Sequence, residues 1–280
     1  VPHKKALAIV VVVHKPAGNV FGITAFHNPL VWAINIDTID GDGVATIIRG
    51  AERNIGIAKD HKQIGSAGLT QFAGHVQIGA KISFTYYGSG RNNPTDFRHT
   101  ATYTMNNNGS LHIEHYVKFG ADITDVPRVG VTMAIPLQYR DVTWLGRGPW
   151  ENYPDRKASA MIGQYNRDVD DLYVPYIMPQ ENGLRCDVSD VTFDNKRGSS
   201  LSVRSDGTFQ FSASRFSAAE LFKALHTTDL VPRDHIIVNI DHLHRGVGSA
   251  SCGPDTLDEY KILGRRHRFG FTLAIGGDEE

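Results

Sequence analysis

The stretch ATYTMNNNGSLHIEHYVKF, residues 101–119, decides the fold. Two runs of alternating character, ATYTM (101–105) and LHIEHYVKF (111–119), flank Asn107-Asn108-Gly109. Alternation at period two sends successive side chains to opposite faces of a strand, and Asn-Gly supplies the backbone freedom of a tight turn. The stretch predicts a β-hairpin. The same grammar extends in both directions. Turn residues recur as AGN at 17, DGDG at 40, GSGRNNP at 88, DNKRGSS at 194 and SDG at 205. Between them lie VWAINI (31–36), HVQIGAKISFTYYG (75–88), VGVTMAIPLQY (129–139), FQFSAS (209–214), HIIVNI (235–240) and FGFTLAI (269–275). Many strands at short spacing predict an all-β protein built as a large sandwich, with few short helices. One helix is expected over 217–225. Ser217 can cap it, Glu220 follows three residues later, and Leu221, Phe222 and Leu225 share one face.

The chain has 280 residues and a formal net charge of -1. That length allows one large domain or two small ones, and the charge argues against a nucleic-acid partner. The apolar run ALAIVVVV (6–13) is too short to cross a bilayer and reads as a buried strand. Lys4 and Lys5 would suit a signal peptide, but no small-residue cleavage pattern follows, so the expected location is cytoplasmic, with no membrane partner. A first residue of Val1 suggests a fragment of a longer chain, or a processed one. Cys186 and Cys252 are too few for a disulfide scaffold and read as free thiols.

No nucleophile elbow, phosphate loop or dinucleotide fingerprint occurs. HIEH (112–115) looks like a metal cluster, but on a strand His112 and Glu114 face one way and His115 the other, which favours a solvated face. In DHLH (241–244), His242 and His244 are expected on one face opposite Asp241; structural histidines are favoured over a metal site. DTIDGDG (37–43) lacks the glycine and glutamate of a calcium loop and reads as a turn. GRRHR (264–268) reads as a solvated turn before the last strand.

GRGPWENYPDR (146–156) cannot be the middle of a helix or strand. Gly146 and Gly148 permit sharp backbone angles, Pro149 fixes the next one, and Tyr153 before Pro154 is biased to extended backbone. Glu151, Asn152, Asp155 and Arg156 can bond to backbone groups that a loop leaves unpaired. Such a rigid loop serves as a structural corner or as the wall of a site.

GRGPWENYPDRKAS (146–159), VDDLYVPYIMPQENGLRCDV (169–188), FSASRFSAAEL (211–221) and VNIDHLHRGVGSASCGP (238–254) together resemble the C-terminal, fifth domain of family 2 β-galactosidases, which is sometimes encoded separately as a small chain. The resemblance is strong over 143–275 and weak over 1–140, where Arg49 to Gly56 is a degraded version of the family's R-A-P-x-D-N-D signature. It implies a supersandwich of the galactose mutarotase-like type, with 1–280 as a single domain. It also implies an accessory role. The family's retaining chemistry uses two glutamates about 5–5.5 Å apart, carried by a (β/α)8 barrel for which this chain has no room. No catalytic residue is therefore assigned. Trp150, Glu151, Asn152, Tyr153, Asp155, Arg156, Glu181, Asn182 and Arg185 are expected to build structural or docking loops. Cys252, where the family often places a sugar-facing tryptophan, is expected to touch substrate with Ser251, Gly253 and His244. The implied partners are a galactoside and barrel-bearing β-galactosidase domains or a large chain, with an oligomer left open. No cofactor or metal is assigned to this chain; Mg²⁺ and Na⁺ are implied for the complete enzyme only. The alternatives are a stand-alone carbohydrate-binding module and a mutarotase-like sugar epimerase with His244 and a carboxylate as acid and base.

Overall fold

A computed structural model describes the strand segments 7–12, 19–25, 32–38, 46–48, 70–72 and 81–88, and residues 96–248 and 253–277. The strands in chain order are β1 (Leu7–Val12), β2 (Asn19–Ala25), β3 (Trp32–Thr38), β4 (Thr46–Ile48), β5 (Thr70–Phe72), β6 (Lys81–Gly88), β7 (Phe97–Met105), β8 (Leu111–Phe119), β9 (Arg128–Pro136), β10 (Asp141–Gly148), β11 (Met161–Asp168), β12 (Arg185–Asp194), β13 (Ser199–Ser214), β14 (His235–His244) and β15 (Arg266–Gly277). A single short α-helix, α1 (Ala218–Lys223), and three 3₁₀ turns complete the described elements. The all-β expectation is met. The expected turn at DTIDGDG lies outside the described residues beyond Thr38.

The chain divides into two compact units. The first comprises residues 1–124, 131–133 and 264–274. In it, β1, β2, β3 and β5 pair antiparallel in that order. So do β4, β6, β7, β8 and β15. The hairpin decided by residues 101–119 is β7–β8, with Met105 opposite Leu111. Gly109 has a φ of 77°, the left-handed conformation that glycine adopts without penalty. Asn108 locks the turn by accepting from the Ser110 backbone N–H at 3.1 Å and from its hydroxyl at 2.7 Å.

Alternation also sets the core of this unit. Ile113, His115 and Val117 of β8 point inward, opposite Phe271, Phe269 and His267 of β15. The expectation of a solvated HIEH face holds for His112 and Glu114 alone. His115 is fully buried, because its position has the parity of the apolar face. Its ring stacks on His99, Phe269 and Phe271, and its Nδ1 lies 2.9 Å from His99 Nε2. Burial pushes the His99 pKa down to about 4 and the His115 pKa well below its ordinary value.

The second unit comprises residues 125–130, 134–263 and 275–280. In it, β10 pairs with β11 on one side and β12 on the other, β12 pairs with β13, and β13 with β14, all antiparallel. Trp144, Phe193 and Phe211 are fully buried between them. Gly146 and Gly148 lie inside β10 and are not bend points. A Cβ on Gly146 would stand 2.6 Å from the Val188 side chain, and one on Gly148 would stand 2.8 Å from the Tyr165 ring. They are small because β12 and an aromatic ring approach closely, and the sharp turn follows them.

The helix forms where expected. Ser217 accepts from the Glu220 N–H while Glu220 accepts from the Ser217 N–H at 2.8 Å, a complete capping box. The expected apolar face is not used as a whole. Leu221 is buried, whereas Phe222 and Leu225 are exposed, because six residues make too few turns to bury a stripe.

Candidate functional site

Three of the motif-bearing segments converge in the second unit. The loop after β10 (149–156), the segment leading into β12 (173–185) and the end of β14 with described residues beyond it (241–248 and 253–256) are joined by hydrogen bonds. Asn152 and Arg185 are the posts. Asn152 donates to the Trp150 carbonyl at 3.1 Å and accepts from the Cys186 N–H at 2.8 Å. Its own N–H donates to the Leu184 carbonyl at 2.8 Å. Arg185 is 2% exposed, and its guanidinium donates to the carbonyls of Leu172, Gly183 and Pro149 at 3.1, 2.7 and 3.2 Å. It also packs 5.5 Å over the Trp144 ring. Burial lowers its pKa to about 10, and Glu151 offsets part of that cost.

The remaining expected loop residues serve the same end. Glu151 accepts from the Gly183 N–H at 2.8 Å and from Arg156 and Tyr176. Arg156 also lies over the Tyr153 ring. Asn182 accepts from the Val174 N–H at 3.0 Å and donates to the Gln180 carbonyl at 2.9 Å, closing the segment on itself. Asp155 reaches both sides of the β14 extension. It accepts from the N–H groups of Val247 and Gly248 at 3.1 and 2.7 Å and from the Thr256 hydroxyl at 3.2 Å. Gly246 must be glycine here, since a Cβ would stand 2.7 Å from the Asp155 carboxyl carbon. Trp150 stays outside this network of side-chain bonds and is 56% exposed.

A second layer is ionisable. The expected alternation in DHLH breaks at Ile240 and Asp241, which are both buried, so Asp241 and His244 are both inward while His242 is half-buried. Asp241 takes a bidentate bond from Arg128. Arg128 Nη1 lies 3.7 Å from Glu181 Oε2, and His244 Nε2 lies 3.7 Å from Glu181 Oε1. The His244 Nδ1 donates to the Arg245 carbonyl at 2.7 Å, which fixes its tautomer. Burial alone would raise the Glu181 pKa, but His244 and Arg128 outweigh it and hold the carboxyl below its usual range. Burial, reinforced by the charges of Glu181 and Glu151, raises the Tyr153 phenol above its ordinary value.

Sequence reasoning missed Arg128, which sits in an unremarkable strand context and carries no motif, and Tyr176, which lies within the recognised segment 169–188 but was given no role. It also missed Asp187, whose φ is 54° and which takes Arg147 and Lys157 at 2.6 and 2.9 Å. Of the residues expected against substrate, His244 is buried and Gly253 is exposed, while Ser251 and Cys252 lie outside the described residues. Among the described residues, no three His, Cys, Asp or Glu side chains could hold a metal, and no helix is long and apolar enough to cross a membrane.

Residues 46–273 match the family model described as β-galactosidase small chain. The chain belongs to that family. It is 38% identical over 175 residues to a β-galactosidase of Photobacterium profundum, covering 61% of this chain and 16% of that protein. It is 40% identical over 176 residues to a β-galactosidase of Pseudoalteromonas haloplanktis, covering 62% and 16%. The matched small-chain region is thus a small part of these larger proteins. A solved aldose epimerase homologue from C. elegans aligns over 98% of the chain at 13% identity, with a TM-score of 0.42, which is too loose to argue from.

Proposed function

We propose that the chain is an accessory domain of a β-galactosidase, without catalytic residues of its own, which completes a substrate pocket and its assembly on a barrel-bearing region. The carrying observation is where the polar side chains of the motif loops go. Asn152, Asn182, Arg185 and Asp155 are spent on holding backbone, and Glu151 is occupied by three donors. A carboxylate so engaged suits scaffolding. A glycosidase acid or nucleophile needs freedom to face the glycosidic bond. The short share of each relative that the chain covers supports the same reading, since a retaining site would then belong to the larger part.

In this role the rigid loops present a surface beside an active site, and the segment around Cys252 meets the galactoside. Hydrolysis of a chromogenic β-galactoside by this chain alone, and then with a barrel-bearing large chain, tests it. The expected result is silence alone and activity on mixing. Hydrolysis by the chain alone would overturn the reading. Tight galactoside binding by the chain alone would favour a binding module, and faster anomer exchange would favour an epimerase. In the assembled enzyme, Cys252→Trp is expected to change KM or acceptor preference.

A further inference from the structure

Asn-Gly occurs twice in the chain, at 108–109 and 182–183, and the fold treats the two in opposite ways. Asparagine before glycine is open to self-attack. The glycine nitrogen, unshielded by a Cβ, can reach the asparagine side-chain carbon and close a cyclic imide. At 182–183 the groups that such an attack would use are committed. Asn182 is 8% exposed, with its oxygen held by the Val174 N–H at 3.0 Å and its nitrogen on the Gln180 carbonyl at 2.9 Å. The Gly183 N–H donates to the Glu151 carboxylate at 2.8 Å. Removing that proton would set a new negative charge against an existing one.

At 108–109 the arrangement favours the attack. Asn108 is exposed at the tip of the β7–β8 hairpin, and the Gly109 N–H donates to the neutral Asn106 carbonyl at 3.1 Å. The Asn108 side-chain oxygen takes two donors, the Ser110 N–H at 3.1 Å and the Ser110 hydroxyl at 2.7 Å. The Asn106 amide donates to the same hydroxyl oxygen at 2.9 Å, which turns the hydroxyl proton toward Asn108. Ser110 is 5% exposed, so both donors are held in place. Two fixed donors on a carbonyl oxygen draw electron density from its carbon. They also stand where the negative charge of a tetrahedral intermediate would develop.

We propose, independently of the accessory-domain reading, that Asn108 is a site of spontaneous deamidation promoted by Ser110, and that Asn182 is spared. Solvent base takes the Gly109 N–H proton, the nitrogen forms a bond to Asn108 Cγ, and the charge passes to Oδ1, where Ser110 holds it. The Cγ–Nδ2 bond then breaks as the nitrogen takes a proton from water, and ammonia leaves. A water molecule opens the imide at either carbonyl, which gives aspartate or isoaspartate at position 108. Both products add a negative charge to the turn. Aspartate keeps an acceptor where Ser110 donates. Isoaspartate runs the main chain through the former side chain and moves the carboxylate off that position, so the end of the hairpin loosens.

The test is ageing of the intact chain at mildly alkaline pH, followed by peptide mass spectrometry with fragmentation that separates position 108 from 106 and 107. The wild type is compared with Ser110→Ala, with Ser110→Thr, and with the wild type unfolded in guanidinium chloride. In the folded wild type, Asn108 is expected to convert at least about tenfold faster than Asn182, and the two rates to converge on unfolding. Ser110→Ala is expected to slow conversion at Asn108 about tenfold, while Ser110→Thr, which keeps the hydroxyl, stays near the wild-type rate. Equal rates at the two sites in the folded chain, or faster conversion at Asn182, overturn the inference. A Ser110→Ala chain that converts at the wild-type rate or faster also overturns it, because loosening of the turn would then be the cause. If Ser110→Ala does not fold, the wild type decides alone. Conversion at Asn108 at least as fast in the folded as in the unfolded chain supports the proposal, and slower conversion overturns it.

Discussion

The first unit buries the His99–His115 pair and the second buries Arg185, and the two solutions are opposite in kind. His99 and His115 survive in an apolar ring stack by giving up their charge. Arg185 keeps its charge and is surrounded by carbonyls that the loops would otherwise leave unpaired. The difference follows from what each region needs. A β-hairpin pairs its own backbone, so its buried side chains are not called on to satisfy stray carbonyls. Loops that fold back on themselves leave carbonyl groups over, and a guanidinium with five donors in a fixed fork collects several at once. Polar burial is thus a relic of packing in the first unit and the means of construction in the second.

The sharpest way to break this contrast is Arg185→Met. It strands three carbonyls and is expected to cost about 3 kcal/mol or more, read by urea denaturation followed through tryptophan fluorescence. A loss below about 1 kcal/mol would mean that the loops hold themselves without it. The histidine pair predicts a pH effect. Both folded-state pKa values lie below the unfolded value of 6.5. Between that value and about 4, the unfolded chain binds more protons than the folded one, so stability falls as pH falls through this window. For His99 the loss is of order 3 kcal/mol. Thermal melts of the wild type should fall across that window, and those of the doubly substituted His99→Leu, His115→Leu chain should fall much less. Gly246→Ala tests the Asp155 clasp. It should loosen residues 245–248 in hydrogen exchange and cost about 1–3 kcal/mol, because the new methyl meets the carboxylate. The smallest effect is expected at Ser217→Ala, about 1 kcal/mol, since it removes one cap from a helix outside both polar cores.

How much was legible in the sequence depended on whether the cause was local. Alternation and Asn-Gly chemistry are local, and β7, β8 and their turn were readable from them. The Ser217–Glu220 box was readable for the same reason. The glycines of β10 were seen and misread, because the groups that crowd them, Val188 and Tyr165, lie elsewhere in the chain. The break in alternation at Ile240–Asp241 was invisible because Asp241 turns inward to meet Arg128, 113 residues away. At the candidate site, the motif residues were recognisable by resemblance. Which backbone groups they hold, and that Arg128, Glu181 and His244 come together, depend on three segments meeting in space.

Cys186 gives the scaffold a clock. Its thiol is 1% exposed, donates to the Asn152 carbonyl at 3.4 Å, and is raised by burial to a pKa of about 12. Alkylation requires a thiolate in contact with reagent, so a folded molecule should ignore iodoacetamide while an opened one is marked permanently. Since the sulfur sits at the post formed by Asn152, each marked molecule records one occasion on which the clasp between the loop after β10 and β12 came undone. Peptide mass spectrometry of Cys186 over time would therefore count those openings directly, separately from whatever reacts at Cys252. Adding a partner that covers the loops would slow the count if docking and clasping are coupled.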